Sequence, residues 1–294
     1  MNERSKTAIS NSADSHRNTS SIKITIITIL TASIAIGVTV FFAFYSHDNS
    51  FHLLPPNSHT EYPIGIKNPA DPSGEAPPAA NAVPGYTRSY VTQFDGSSLP
   101  PSWDVYTGVP GGVPGGQFAR SHVVVGHGIL SLNTWRDPKF QDRWVTGGLC
   151  QCGLARTYGA YFVRSRVTGP GPNEVELLWP KSNKWPPEID FNETGGQTDS
   201  TSSTLHFTAV NSITQMHVVV NMEQWHTWGV IWTPTSISYL VDGQVWGKIT
   251  AAYQIARVPM TLDLQQTATC VPGRPCSIHR ASMLVDWVAE YSPT

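Results

Sequence analysis

From about residue 90 onward the chain alternates apolar and polar side chains with a period of two, in short runs broken by turn signals. No stretch of ten or more positions there keeps a 3.6-residue period, so the region predicts strands. HVVVGHGILSLNTW places a Gly-His-Gly turn between two apolar runs, and YGAYFVRSRVTG sets Tyr161 and Val163 against Arg164 and Arg166. In WGVIWTPTSISYLVDGQVWGKI, Asp242-Gly243 between strand-like runs is a two-residue hairpin signal. SMLVDWVAEY reads as a closing strand. The fold class is therefore all-β, with two antiparallel sheets packed face to face. Composition agrees: 24 Gly, 23 Pro and 10 Trp suit many turns and an aromatic core. Charged residues are only 14% and the net charge is -2, which excludes a polybasic nucleic-acid binder and a highly charged disordered chain.

Ahead of this region the chain changes character. Residues 1–23 are polar and carry Arg4, Lys6, Arg17 and Lys23; residues 24–45 (ITIITILTASIAIGVTVFFAFY) hold no charge. A helix of that length crosses a ~30 Å hydrocarbon layer. The cations before it predict a cytoplasmic tail over 1–23, a transmembrane anchor over 24–45 and an extracellular remainder. A cleaved signal peptide leading to secretion is the competing reading. Residues 46–86 contain eight prolines and predict a Pro-rich linker, an extended spacer before a folded domain over 87–294. The four cysteines are Cys150, Cys152, Cys270 and Cys276. An exported domain can keep disulfides. A local Cys270–Cys276 bridge is plausible, the CxC spacing of Cys150 and Cys152 is strained for mutual pairing, and long-range pairing stays open. Neither spacing fits usual zinc ligation well.

The chemistry concentrates in WPPEIDFNETGG, where Glu188, Asp190 and Glu193 lie within six residues. On a strand Glu188 and Asp190 share a face, and Glu193 joins them only if a β-bulge inserts one extra residue. Ile189 would then pack inward. Like charges so close cannot all ionise cheaply, so at least one carboxyl is held protonated. One protonated and one ionised carboxyl is the pair that glycosidic cleavage needs, and a separation of ~5–5.5 Å leaves no room for a water between them, which predicts retention. An intervening aspartate can share a proton with the nucleophile. A solvated acidic strand and a calcium site are the alternatives that spacing leaves open; calcium prefers more oxygen ligands on flexible loops.

This segment resembles the E-x-D-x-x-E signature of glycoside hydrolase family 16 in its bulged, laminarinase- or lichenase-like form. FDGSSLPPSW, YGAYFVRSRV, STLHF, EQWHTWGVIWTPTSISYLVDG and LVDWVAEY resemble further strands of that family in order. The resemblance implies a concanavalin-like β-jelly-roll sandwich with a sugar-binding cleft. It also implies Glu188 as nucleophile, Asp190 as assisting acid and Glu193 as general acid/base. Two departures stand out. Pro187 occupies a position that is often Gly, and NEVELLWP replaces an aromatic-rich strand. Aligned on Pro180, the family's tryptophan falls at Leu177, and Glu174 and Glu176 are unexpected charges.

Trp179 and Trp185 are candidates to stack on sugar rings, with core packing as the alternative. His206 is a candidate hydrogen-bond partner of a sugar or of the acids, and Gln265 shares a polar strand face with Thr261 and Asp263. Asn192-Glu193-Thr194 is formally a glycosylation acceptor that would block the cleft if used. The expectation is a membrane-tethered endo-glycosidase on a β-1,3- or β-1,3-1,4-glucan polysaccharide, with no cofactor, no metal in the site and no nucleic-acid partner. A structural calcium away from the site is allowed for. Transglycosylation, another polymer such as a galactan, and a non-catalytic sugar-binding protein are the alternatives.

Overall fold

The structure, a computed structural model, describes residues 46–54, 61–111, 113, 115–268 and 278–294. Strands β1 (Ser46–Leu53), β2 (Ile66–Lys67), β3 (Glu75–Ala76), β4 (Tyr86–Thr92), β5 (Asp104–Val105) and β6 (Val123–Gly126) come first. They are followed by β7 (Ile129–Asp137), β8 (Arg143–Val145), β9 (Gly148–Cys150), β10 (Gly159–Val167), β11 (Asn173–Pro180), β12 (Glu188–Glu193) and β13 (Ser200–His206). The last six are β14 (Ile213–Val219), β15 (His226–Trp232), β16 (Ile237–Val241), β17 (Gln244–Ile249), β18 (Met260–Thr267) and β19 (Ala281–Pro293). Among the described residues the helices are two single 3-10 turns, Arg120–His122 and Pro138–Phe140.

The strands form an all-β sandwich. The cleft sheet runs β1-β14-β13-β12-β11-β18-β9-β5, and the back sheet runs β17-β16-β15-β10-β19-β7-β6, with β4 on β19 and β8 on β7. Pairing is antiparallel throughout these ladders except at one edge, where β1 adds to β14 in parallel. Alternation dictates the core: Leu178, Ile189, Phe191, Leu205 and Leu262 of the cleft sheet meet Trp228, Trp232, Tyr239 and Val288 of the back sheet, all fully buried. Asp242 (φ 47°) and Gly243 (φ 75°) both lie in the left-handed region, so the predicted hairpin turn is formed between β16 and β17.

The expected spacer over 46–86 is corrected by the packing. The back sheet is apolar on its outer face as well, where Ala160, Phe162, Ile231, Leu240, Trp287 and Tyr291 form a second buried cluster with Val83. Residues 61–86 cover that face. Trp287 Nε1 donates to the Glu75 carbonyl (2.8 Å), Tyr291 OH to the Ala79 carbonyl (3.0 Å), and the Ser73 N–H to Asp286 (3.0 Å). Proline-rich sequence here is a strap: Pro lacks an N–H, so it lies against an apolar sheet face without needing a ladder partner.

The predicted anchor over 24–45 and its tail lie outside the described residues. Among the described residues no helix is long and apolar enough to cross a membrane. Cys150 and Cys152 are bridged to each other, contrary to the reading of their spacing as strained. The chain leaves β9 in a tight turn that sets their Cα atoms 5.0 Å apart, well within bridging range. Cys270 and Cys276 lie outside the described residues.

Candidate active site

Strand β12 carries the acids, and its register explains why all three share a face. Against β11, Asn192 opposes Glu176 while Asp190 opposes Leu177, so Phe191 is extra. Against β13, Asp190 opposes Thr204 and Glu193 opposes Ser202, which shows the same one-residue slip. Ile189, Phe191 and Asn192 turn into the sandwich and are fully buried. Glu188, Asp190 and Glu193 line a cleft of about 770 Å³ over the outer face of the sheet. Burial of Asn192 also puts the formal glycosylation acceptor out of reach.

Each carboxyl has a distinct setting. Glu188 accepts from Trp185 Nε1 (2.8 Å). Burial pushes Glu188 above the usual carboxylate range, and the Glu193 charge adds to this, while His206, the Trp185 bond and Asp190 pull the other way. Asp190, deeper, is raised further by burial and by the Glu188 charge. His206 Nε2 stands 3.4 Å from Asp190 Oδ2, and its Nδ1 is 2.6 Å from Asn211 Oδ1. Burial alone would lower this imidazole; the bonds and charges of Asp190, Asn211 and Glu188 outweigh it and bring it up to about 9. The cluster as a whole therefore retains protons at neutral pH that free groups would have lost. Glu193 is held from two sides, by Asn173 Nδ2 at 3.2 Å and Thr204 Oγ1 at 2.9 Å.

Glu188, Asp190 and His206 each offer a ligand atom within 4.8 Å of the others, a geometry that could hold a cation. The other predicted residues also line the cleft. Trp185 sits beside His206 with ring centroids 5.8 Å apart, Trp179 bonds Asn183 through Nε1 (3.1 Å), and Gln265 opposes Val175 further along the floor. Leu177, where the family pattern has tryptophan, lies between Asp190 and Asp263 in the ladder.

Sequence reasoning assigned no role to Asp263 or Tyr106. Asp263 lines the same cleft, nearly buried, and accepts from Thr261 Oγ1 (2.9 Å) and from the Tyr106 hydroxyl. Burial pushes its carboxyl up to about 7, with the nearby Glu188 charge adding. The signal for Asp263 was a charge on the polar face of its strand. Tyr106 had none, being 157 residues away in the chain.

An open trough across a β-sheet, floored by coupled carboxyls and flanked by indoles, defines a carbohydrate-cleaving enzyme by the chemistry it can do. Comparison with known proteins narrows this. Residues 120–289 match glycosyl hydrolases family 16. A 146-residue stretch is 26% identical to the endo-1,3-1,4-beta-glycanase ExsH of Rhizobium meliloti, covering 47% of this chain and 31% of that protein. The match thus spans about a third of the length of that relative. Among solved structures, the laminarinase from Rhodothermus marinus aligns with a TM-score of 0.64 at 20% identity, over 71% of this chain and 98% of the other. The catalytic domain of the endo-1,3-beta-glucanase (laminarinase) from Thermotoga petrophila aligns at 0.63 and 17% identity, with the same coverage. The chain belongs to glycosyl hydrolases family 16 and is a glycoside hydrolase.

Proposed function

We propose that the chain is a retaining, endo-acting glycosidase that cleaves a β-1,3- or β-1,3-1,4-linked glucan by double displacement. The observation that carries this is the bulge, which sets Glu188 and Glu193 on one face of β12 with Asp190 between them. Glu188, bonded by an indole N–H that favours its carboxylate, suits the nucleophile. Glu193, held by Asn173 and Thr204 at the far end of the row, suits the acid that protonates the leaving oxygen and then activates water. Asp190 stabilises the pair by sharing a proton with Glu188 and His206. Trp179, Trp185, His206 and Gln265 supply sugar contacts. Among the described residues no Lys or Arg lines the cleft, which favours a neutral polymer over an anionic one. The glucan linkages come from the relatives' names and from the fold they share. The uncharged run over 24–45, preceded by cations, supports a catalytic domain tethered outside the membrane.

The test is a panel of neutral and anionic polysaccharides with reducing-end analysis of products. Wild type is expected to release oligosaccharides of the β-anomer first from laminarin or mixed-linkage glucan. Glu188→Gln is expected to lose at least about 10³-fold in kcat. In Glu193→Ala, assayed on a dinitrophenyl glycoside whose leaving group needs no proton, azide is expected to restore turnover as a β-glycosyl azide. First-formed α-anomer, or activity confined to galactans or acidic polymers, refutes the mechanism or the substrate respectively.

A further inference from the structure

Behind the acid row, on the inner face of the cleft sheet, β11 buries two carboxyls that the mechanism above leaves unused. Glu174 and Glu176 are fully buried. Among the described residues neither has a cation in ion-pairing range. Ser165 reaches across from the back sheet and donates to Glu176 Oε1 at 2.5 Å. Asn192, which the bulge turns inward, stands opposite Glu176 in the β11–β12 ladder. The Asn192 amide nitrogen and Glu176 Oε2 are both buried and neither has a hydrogen-bond partner; across that ladder pair one is a donor and the other an acceptor, and the Asn192 side chain favours the ionised form of Glu176. On its other side Asn192 Oδ1 accepts from Thr201 Oγ1 at 2.7 Å. Thr201 Oγ1 itself accepts from the backbone N–H of Glu193 at 3.0 Å. Ser165 and Glu176 from one side, and Asn192, Thr201 and the Glu193 N–H from the other, thus stand end to end as one polar line through the sandwich, meeting at the Glu176–Asn192 ladder pair.

An apolar residue at 176 would pack against Leu178 and Ile189 at no desolvation cost, whereas a buried carboxyl is expensive. Local rules broken beside a reaction centre point to function. We infer that Glu176, acting through Asn192 and Thr201, is a positioning residue that sets the orientation of Glu193 toward the scissile oxygen. This rests on the assignment of Glu193 as general acid/base.

Glu176→Leu and Asn192→Leu cut the path while filling its space. Each is expected to lose about ten- to a hundredfold in kcat on β-glucan, with KM within about twofold and a melting temperature no lower than wild type. Glu176→Gln, whose amide can turn its oxygen toward the Asn192 NH2 and donate from its own NH2 to Ser165 Oγ, is expected to regain most of the loss. On a dinitrophenyl glycoside of a glucan oligosaccharide, whose leaving group needs no proton, glycosylation stays at the wild-type rate. Wild-type kcat in Glu176→Leu, or equal losses on both substrates, overturns the inference. A second readout needs no substrate: hydrogen exchange at the Glu193 N–H is expected to rise about tenfold or more in Asn192→Leu. Unchanged protection there refutes the path even if the glucan reading stands; a wild type that cleaves no glucan fails the earlier reading instead. If the Leu variants do not fold, Thr201→Val, which keeps the shape and removes the hydroxyl, carries the same expectations.

Discussion

At the scale of single residues, the state of Glu188 depends on one indole. The Trp185 N–H bond favours the carboxylate, against burial that favours the acid. Trp185→Phe keeps a ring in place and removes the donor. The Glu188 pKa then rises, and because the nucleophile must be ionised, the acidic limb of the kcat/KM profile moves to higher pH. A pH–rate series on both proteins checks this; an unmoved limb rules the bond out as the tuning element. Asp263 is the companion case. Held near-neutral by burial and bonded by Tyr106, it faces the cleft two strands from the acid row. Tyr106→Phe leaves one Asp263 oxygen short of a donor, and a two- to tenfold rise in KM with little change in kcat is expected if the pair contacts sugar, roughly the worth of one hydrogen bond. The acid row was legible in WPPEIDFNETGG because its members are neighbours in the chain. The Tyr106–Asp263 pair was not, because only folding brings a loop after β5 onto β18.

At the scale of elements, β11 and β12 show what a period-two reading can and cannot deliver. Alternation assigned Ile189 to the core and Glu188 and Asp190 to the cleft. Placing Glu193 beside them required a bulge, which the resemblance suggested and the register displays. The same alternation sends Glu174 and Glu176 of β11 inward, where charge is costly. Burial pushes Glu174 up to about 8, and Glu176, with the Glu174 charge added to burial, is raised as well. Folded Glu174 therefore keeps its proton across a window in which the unfolded chain loses it. Stability falls as pH rises from about 4.5 toward 8 and the penalty is absent below that window. Glu174→Gln removes the titration. Its melting temperature should exceed that of wild type by a margin that widens from pH 5 to pH 8, by about 2–4 °C per kcal/mol relieved. A margin constant with pH would show that Glu174 does not carry the effect. These charges were visible in NEVELLWP as departures, but the face they occupy became meaningful only against Ser165 of the other sheet.

At the scale of the whole molecule, the back sheet has two apolar faces and the chain supplies a cover for each. The cleft sheet covers the inner one. Residues 61–86 cover the outer one, over Phe162, Trp287 and Tyr291. Each such ring is worth roughly 1.5–3 kcal/mol when removed from water. A chain beginning at residue 87 should therefore melt well below one beginning at residue 61, and bind a hydrophobic dye that the longer chain does not. Equal melting temperatures would return the segment to the role of a spacer.

By itself the chain's pattern determined the strands, the two-sheet class and the neighbouring acids, because side-chain alternation and turn chemistry act between residues a few positions apart. It also carried the family resemblance that named the reaction. Tertiary structure decided the rest: that a proline-rich stretch is a strap, that Cys150 turns back onto Cys152, that Asp263 meets Tyr106, and that two buried glutamates back onto the bulge. These are contacts between segments far apart in the chain, and their energies come from surfaces that exist only once the sheets have closed on each other.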